Sequence, residues 1–306
     1  MILDGEEREW LRDRLLATGA CAVGFARAEA VSAEEAARFA DWLVRGDNAG
    51  MGYMHNYPEL RADPRGLLEG SQTVISLAYS YKPAEYRPEE RGIIAAYAYG
   101  KDYHKVLRKL LKPALREIEE RFTDAAFRIC IDSAPLHERY WALRSGVGFR
   151  GDNGCVIVPG FGSMVFLVEI ITTIEVEADA PMERDCGHCG ACWRACPGKA
   201  LHDGIIDCRR CISYLTIEHR GDWDETGREI MAEQCDRVTI LGCDVCLRVC
   251  PHNRTAPPTD IEAFRPHPMI GSLTPEAIPD LTDADLAGTS LSRVGIEGLK
   301  RNINRK

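Results

Sequence analysis

The strongest constraint on this chain is a run of four cysteines that ends in a proline. Cys186, Cys189, Cys192 and Cys196 follow the spacing C-x2-C-x2-C-x3-C, and Pro197 comes next. In bacterial ferredoxins the first three thiolates of such a run bind one 4Fe–4S cluster, and the fourth binds a second cluster. The run therefore predicts a second, matching run in the same chain.

A second run is present, but it is one cysteine short. Cys243, Cys246 and Cys250 precede Pro251, and Ile240 stands where the first ligand of a full run would be. In the ferredoxin pattern each run lends one thiolate to the cluster of the other run. This rule assigns cluster one to Cys186, Cys189, Cys192 and Cys250, and cluster two to Cys196, Cys243, Cys246 and one further cysteine.

Three cysteines between the runs are able to supply the missing ligand, and spacing alone does not choose among Cys208, Cys211 and Cys235. Zinc is the alternative metal, because it also takes four thiolates from paired C-x2-C motifs. A three-cysteine run that is closed by Cys-Pro and used twice favours iron–sulfur clusters. Disulfides are disfavoured, since nothing else marks the chain as secreted.

The composition is that of an ordinary globular protein. The 306 residues, 45% hydrophobic and 28% charged, suffice for one large domain or two of moderate size. We expect a cytoplasmic location and no membrane span, because the chain has 13 cysteines, an acidic start and no long apolar run. The net charge of −9 argues against indiscriminate nucleic-acid binding.

Alternating helix and strand patterns up to about residue 180 predict an α/β (α+β) domain with a mixed sheet. The predicted helices cover residues 6–17, 32–44, 103–122 and 136–145, and Pro113 predicts a kink or a restart in the third. The predicted strands cover residues 21–26, 73–81, 92–100, 125–132, 155–159 and 163–171.

Shifts in composition predict three segments. They are an α/β cofactor- and substrate-binding domain at 1–178, a ferredoxin-like double-cluster module at 179–256 and a C-terminal extension at 257–306. The extension ends in a basic tail, which is either a solvated, frayed end or a basic face. In this tail Glu297 is the one acid beside Arg293, Lys300, Arg301, Arg305 and Lys306.

Several stretches outside the cysteine runs make the chain recognisable. They read ICIDSAPLHERYWALRSGVGFRGDN, VPGFGSMVFLVEI and RCISYLTIE, in that order and interleaved with the two runs. Together they resemble the epoxyqueuosine reductases over roughly residues 50 to 265. That family binds cobalamin and two 4Fe–4S clusters. It carries out the last step in making queuosine, a modified guanosine at the tRNA wobble position.

The resemblance implies roles for two residues. The cysteine of RCISYLT, Cys211, completes cluster two, which leaves Cys208 and Cys235 as bystanders. Asp132, at the start of DSAP, is the proton donor. We expect burial to raise the pKa of this acid, because a proton donor works best with a pKa near neutrality. The alternative is a structural role, in which Asp132 or Ser133 caps a helix.

No D-x-H-x-x-G motif of corrinoid proteins is present, and the resemblance implies a base-off cobalamin without a strong protein ligand. Each predicted contact also has an ordinary interpretation as a turn or capping residue. The predicted cobalamin-binding residues are Tyr103, His104, Asp132, Ser133, Asn153, Gly162, Ser163 and Ser213.

The chain departs from the family pattern in two places. Asp152 stands where the family commonly has lysine, which puts a phosphate or cofactor contact there in doubt. Many members also continue into helical repeats that grip tRNA, whereas this sequence ends at RNINRK. We therefore expect the main body and the basic tail to grip the tRNA.

The expected partners are tRNA carrying epoxyqueuosine in its anticodon loop and a low-potential ferredoxin- or flavodoxin-like reductant, with the protein a monomer. Two alternatives remain. A reductive dehalogenase-like corrinoid enzyme on a small substrate is one, although such enzymes are generally exported behind a signal that is absent here. A ferredoxin-type electron carrier is the other, although about 180 residues ahead of the clusters exceed what a carrier needs.

Overall fold

The computed structural model describes residues 1–202, 204–234 and 237–304. Its α-helices are α1 Gly5–Leu16, α2 Ala33–Val44, α3 Pro58–Ala62, α4 Tyr103–Arg121, α5 Glu138–Arg144, α6 Ala191–Ala195, α7 Glu225–Glu233, α8 Val245–Arg248, α9 Pro251–Arg254, α10 Pro268–Ser272 and α11 Gly295–Ile303. Its strands are β1 Ala22–Arg27, β2 Thr73–Ser80, β3 Ile93–Ile94, β4 Phe127–Cys130, β5 Phe149–Arg150, β6 Val156–Ile157, β7 Val165–Thr172, β8 Leu201–His202, β9 Ile205–Ile206 and β10 Thr239–Leu241.

The central sheet has four strands in the order β1-β2-β7-β4, and every neighbouring pair is antiparallel. The predicted mixed α/β fold is confirmed, but the expectation of a mixed sheet is wrong for this central sheet. Alternating helices and strands suggest parallel crossovers, but here strands that are distant in sequence pair with each other. The strand β7 lies between β2 and β4, although it follows both along the chain. Edge strand β4 carries the chain towards Asp132.

Helices cover both faces of this sheet. Along β2 the side chains of Ile75, Leu77 and Tyr79 point into a core shared with α1 and α4. Val74, one residue before Ile75, points to the opposite face and packs with α5, next to the buried indole of Trp141. This alternation follows from the two-residue period of a strand, and it explains why the whole of β2 is buried.

The predicted strand over residues 92–100 is mostly wrong. Only Ile93–Ile94 forms a strand, and Ala96–Ala98 forms a 3-10 turn. A Cβ atom added at Gly100 would lie 2.4 Å from the carbonyl oxygen of Ala263. The small residues of this stretch therefore serve close packing against the C-terminal segment. A continuous strand would also leave no place for the turn that leads into α4.

The predicted helices are confirmed to within a few residues. Ser32 caps α2 by accepting a hydrogen bond from the Glu35 backbone N–H, as expected. Helix α4 runs through Pro113 as one helix, so the predicted restart does not occur. Among the residues that the structure describes, no helix has both the length and the apolar character needed to cross a membrane.

The C-terminal segment belongs to the main core. Phe264, Ile270 and Leu299 are buried in the same cluster as the central sheet. The interpretation of the tail as solvated and frayed is wrong for Arg301, which lies in α11 and donates hydrogen bonds to the backbone oxygens of Leu215 and other residues. Arg305 and Lys306 lie outside the described residues. The three predicted segments thus share one core, and their boundaries stay a prediction.

Candidate active site and metal centres

A cavity of about 870 Å³ opens beside the end of β4. Its wall is formed by the start of α4, the loop between β4 and α5 (residues 131–137), the segment around Met51 and the β9 strand. Residues from the C-terminal segment close one side. The polar lining includes Tyr53, Asp102, Tyr103, His104, Asp132, Ser133, Glu138, Arg139, Glu218 and Arg293. A cavity of this size accepts a large ligand.

Asp132 presents its carboxylate to this cavity, with the side chain 62% exposed. Its backbone has a φ of +56°, which is the left-handed region. The predicted alternative as a helix cap is wrong for both Asp132 and Ser133, because α5 begins at Glu138 and His137 occupies its N-cap position. The conformation of Asp132 therefore does not serve to cap a helix, and it leaves the carboxylate at the wall of the cavity.

His104 joins two carboxylates. Its Nε2 lies 3.3 Å from Oδ2 of Asp132, and its Nδ1 lies 2.9 Å from Oδ1 of Asp102. Asp102 is also the N-cap of α4, where it accepts a hydrogen bond from the His104 backbone N–H. The imidazole stacks on Tyr103, which stacks in turn on Phe166. Stacking and capping together fix the ring in place.

The pKa of Asp132 moves opposite to the direction expected from the sequence. The hydrogen bond from His104 lowers the pKa of Asp132, and this effect exceeds the opposing effect of burial. The same hydrogen bond raises the pKa of His104 above its usual value. Both shifts favour a proton on the imidazole over a proton on the carboxylate. The expectation failed because it considered the burial of Asp132 without its partner in α4.

Two further carboxyl groups lie behind Asp132, and the sequence analysis gave them no role. Oε1 of Glu138 accepts a hydrogen bond from the Asp132 backbone N–H at 2.5 Å. Burial and the neighbouring Asp132 charge raise the pKa of Glu138 to about 8. Glu169 in β7 is fully buried, and burial raises its pKa well above the usual value. The one sequence signal was Glu169 interrupting the apolar run MVFLVEIITTI.

A second polar group of the cavity comes from distant segments. Arg293 binds Glu218 with an N–O distance of 2.8 Å, and the hydroxyl of Tyr53 lies 3.5 Å from the same carboxylate. Tyr53 belongs to the 3-10 turn Gly52–His55, and Arg293 belongs to the C-terminal segment. Sequence reasoning missed this contact because nothing in the spacing of these residues indicates that they meet.

The predicted cobalamin contacts fall into two groups. Tyr103, His104, Asp132 and Ser133 line the cavity. The other four lie elsewhere: the Ser163 backbone N–H donates to Asn253 Oδ1, and the Ser213 hydroxyl donates to the Cys243 carbonyl oxygen. Asn153 accepts from the Cys155 N–H, and Gly162 packs against Asn253. Cobalamin contacts at Asn153, Gly162, Ser163 and Ser213 stay a prediction that this cavity does not support.

The predicted cluster ligands form two groups in space. The Cys250 thiol interacts electrostatically with the thiols of Cys186 and Cys189, and Cys192 interacts with Cys189. A second set of mutual interactions joins Cys196, Cys211, Cys243 and Cys246. These are the two sets that the crossed ferredoxin rule requires. Their roles as ligands stay a prediction, for which the grouping is strong support.

Among the three cysteines considered for the open position, Cys211 lies with cluster two. Cys208 neighbours Cys211 but lines the cavity. Cys235 lies outside the described residues. Within the described ranges every cysteine is a free thiol, so the donor set fits two iron–sulfur clusters, each with four thiolates.

Asp152, which replaces the common lysine, lies beside Cys186, an expected ligand of cluster one, and does not line the cavity. Its Oδ1 lies 2.9 Å from Nδ1 of His188, and its carbonyl oxygen accepts a hydrogen bond from the Trp193 indole. Ligand atoms of Asp152, Cys186 and His188 all lie within 4.8 Å of one another. Because Cys186 is an expected cluster ligand, this group is explained as part of the wall around cluster one.

The cavity fits a large cofactor together with part of a substrate. It extends from the Asp132 carboxylate to Cys208, which neighbours Cys211 of the cluster-two group. A redox cofactor bound there would lie between the electron source and the acid. Tyr103, His104, Asp132 and Ser133 are the residues that would hold it.

Two family models match the chain. One is described as epoxyqueuosine reductase QueG, DUF1730, and it matches residues 61–133. The other is described as a 4Fe-4S double cluster binding domain, and it matches residues 185–253. The first match ends one residue after Asp132, and the second contains both cysteine runs.

Known proteins match most of the chain. An epoxyqueuosine reductase of Cyclobacterium marinum is 38% identical over 276 residues, which cover 89% of this chain and 87% of that protein. A crystal structure of epoxyqueuosine reductase with a tRNA-Tyr epoxyqueuosine-modified stem loop aligns with a TM-score of 0.87 at 28% identity, covering 97% of this chain and 80% of that one. A Bacillus subtilis epoxyqueuosine reductase, its catalytic aspartate loop swung out of the active site, aligns with a TM-score of 0.87 at 27% identity and the same coverage.

Proposed function

The chain belongs to the epoxyqueuosine reductase family, and we propose that it reduces epoxyqueuosine in tRNA to queuosine with Asp132 and His104 as the proton-supplying pair. The observation that carries this assignment is the contact between the two side chains at the wall of the large cavity. The dehalogenase-like enzyme and the electron carrier are not favoured, since the Cyclobacterium marinum relative and the structures that align with a TM-score of 0.87 are epoxyqueuosine reductases.

The reaction needs a proton source beside the substrate. Removal of the epoxide oxygen as water, with formation of a carbon–carbon double bond, consumes two electrons and two protons. His104 contacts the carboxylate of Asp132, and this contact raises the pKa of His104 and so favours its protonated form. Asp132 receives this proton and passes it to the departing oxygen. The low pKa of Asp132 keeps the proton on His104 until the oxygen becomes basic.

The cofactors supply the electrons. When bound, the two 4Fe–4S clusters supply electrons one at a time from a low-potential ferredoxin- or flavodoxin-like reductant, and base-off cobalamin supplies the reducing cobalt at the substrate. The double-cluster match and the two groups of thiols support the clusters. The support for cobalamin is the cavity between Cys208 and Asp132.

The chain offers cationic side chains for an anionic substrate at the same cavity. Arg38, Arg61, Arg139, Arg150 and Arg293 line it, and cationic side chains suit the phosphates of an RNA loop. Arg293 comes from the C-terminal segment, which packs into the main core and so contributes to this surface. The loop seen swung out in the Bacillus subtilis enzyme supports a loop at 131–137 that also opens here to admit the substrate.

Anaerobic conversion of epoxyqueuosine tests this function. The holoprotein is incubated with the tRNA and a low-potential donor, and the tRNA nucleosides are analysed by mass spectrometry. We expect queuosine to form with the parent and to fall by at least about 100-fold with Asp132→Ala. The variant should keep roughly eight irons per chain and the corrinoid spectrum. Turnover by Asp132→Ala at the parent rate would refute the acid assignment.

A further inference from the structure

The Asp132 backbone needs support in the conformation that the structure gives it. A φ of +56° is strained for a residue with a Cβ atom. On either side of it Ile131 and Leu136 are buried, so the residues between them are the part of the loop that can move without disrupting the core. The two hydrogen bonds within this loop, Ser133 N–H to Ile131 O and Leu136 N–H to Ala134 O, do not tie Asp132 to the sheet or the helix.

Glu138 supplies a bond from outside the loop. Its Oε1 accepts the Asp132 backbone N–H at 2.5 Å. Glu138 is the first residue of α5, and α5 packs on the central sheet against β7, β2 and β1. The acceptor is therefore attached to a fixed element, while the donor belongs to the loop. A bond of this kind selects one backbone conformation out of several.

Glu169 lies in the sheet behind Glu138, and burial together with the Glu138 charge raises the pKa of Glu169 well above its usual value. Glu169 pairs with Ser76 of β2 and Cys130 of β4 in the sheet register. In the described part of the chain, neither carboxyl oxygen of Glu169 has a hydrogen-bond partner. A buried carboxyl without partners stays protonated, so it adds no negative charge behind Glu138.

We propose that Glu138 is a positioning residue for the reaction: its carboxyl group holds the Asp132 backbone in the left-handed conformation and thereby directs the Asp132 carboxylate at His104. This inference rests on the proposed function, in which Asp132 passes the proton to substrate. In the closed state of the loop, this backbone hydrogen bond acts together with the contact between Asp132 and His104. Opening of the loop breaks that bond and separates Asp132 from His104.

Three variants test the role of Glu138 in the anaerobic holoprotein. Glu138→Ala removes the acceptor, and Glu138→Gln keeps an amide oxygen in its place. Arg144→Ala is the matched control, because Arg144 lies in the same helix and pairs with Glu29 at the surface. The measurements are hydrogen–deuterium exchange of the amides in residues 131–137, and kcat and KM with the modified tRNA.

We expect Glu138→Ala to speed exchange of the loop amides about tenfold, as the loss of one hydrogen bond that holds the loop implies. It should lower kcat with little change in KM, while Glu138→Gln and Arg144→Ala stay near the parent. Unchanged loop exchange in Glu138→Ala overturns the proposal, and so does equal acceleration in Arg144→Ala. The exchange measurement needs no substrate, so a parent that fails to convert epoxyqueuosine removes the proposed function and leaves this result readable.

Discussion

Nε2 of His104 lies 3.3 Å from Oδ2 of Asp132, and the two residues come from different elements of the fold. His104 belongs to the first turn of α4, and Asp132 belongs to the loop after β4. The contact lowers the pKa of Asp132 and raises the pKa of His104. The acid of this site is consequently a pair, and either member alone is a poorer proton donor at neutral pH.

Replacement of His104 tests the pair. We expect His104→Gln to lower kcat by roughly 10- to 100-fold, because Asp132 loses the neighbour that stores its proton. In the parent, kcat should fall as the pH rises through the raised pKa of His104, and this alkaline limb should vanish in the variant. The pH profile of kcat gives the answer, with His202→Gln as an exposed control. A variant that keeps the alkaline limb contradicts the pairing.

Replacement of Glu138 should change how stability depends on pH. Burial raises the pKa of Glu138 from about 4.5 to about 8. The folded state then binds the proton more tightly than the unfolded chain, so the free energy of unfolding falls as the pH rises from 4.5 to 8. One such group contributes a slope of at most about 1.4 kcal/mol per pH unit.

We expect Glu138→Gln to remove this contribution. Denaturant unfolding at several pH values in that window should give a shallower slope for the variant than for the parent. The comparison isolates Glu138, because Asp244, whose pKa burial raises to about 6, remains in both proteins. Identical slopes would mean that Glu138 is ionised at neutral pH.

Replacement of single cysteines should distinguish the ligand of cluster two from its neighbour. Cys211→Ser should lose one cluster and retain roughly four irons per chain, whereas Cys208→Ser should retain roughly eight. The reason is that Cys211 lies with the thiols of Cys196 and Cys243, while Cys208 lines the cavity. Iron analysis and electron paramagnetic resonance of anaerobic samples measure both. Loss of a cluster in Cys208→Ser alone would reverse the assignment.

Replacement of Asn302 should destabilise the whole protein. Asn302 is fully buried, and its Nδ2 donates to the carbonyl oxygens of Thr216 at 2.8 Å and Ile240 at 2.9 Å. Asn302→Ala leaves both acceptors unsatisfied, so we expect a loss of about 1–3 kcal/mol in the free energy of unfolding. Denaturant unfolding measures it, and the exposed Asn304→Ala serves as the control. Equal stability of the two variants would contradict this prediction.

The cysteine pattern predicted the double-cluster segment because its information is local, whereas the individual ligand roles stay a prediction. The spacing of Cys186 to Cys196 determines which thiols share a loop, and the crossed pairing with Cys250 follows from the second run. The choice of Cys211 over Cys208 needed the resemblance, since both cysteines are close to the second run. In the structure Cys211 joins the cluster-two group.

The acid pair and its support could be predicted only in part. The resemblance indicated Asp132 and His104 separately, but their contact depends on how α4 packs against the end of β4. The contact of Glu138 could not be predicted, because it depends on the left-handed backbone of Asp132 six residues earlier. The sequence DSAP does not indicate that conformation. Arg293 was assigned to a tail, although the C-terminal segment packs into the core and brings it to the cavity.

The short parallel pair of β3 and β10 joins Ile93–Ile94, ahead of α4, to Thr239–Leu241, within the cysteine-rich segment. Helix α11 packs on β10 from the C-terminal side. The cysteine-rich segment is therefore packed into the rest of the fold and is not a separable module. A ferredoxin put in its place would remove the strand that pairs with Ile93–Ile94 and packs against α11. Electron delivery and catalysis in this chain therefore have to evolve together.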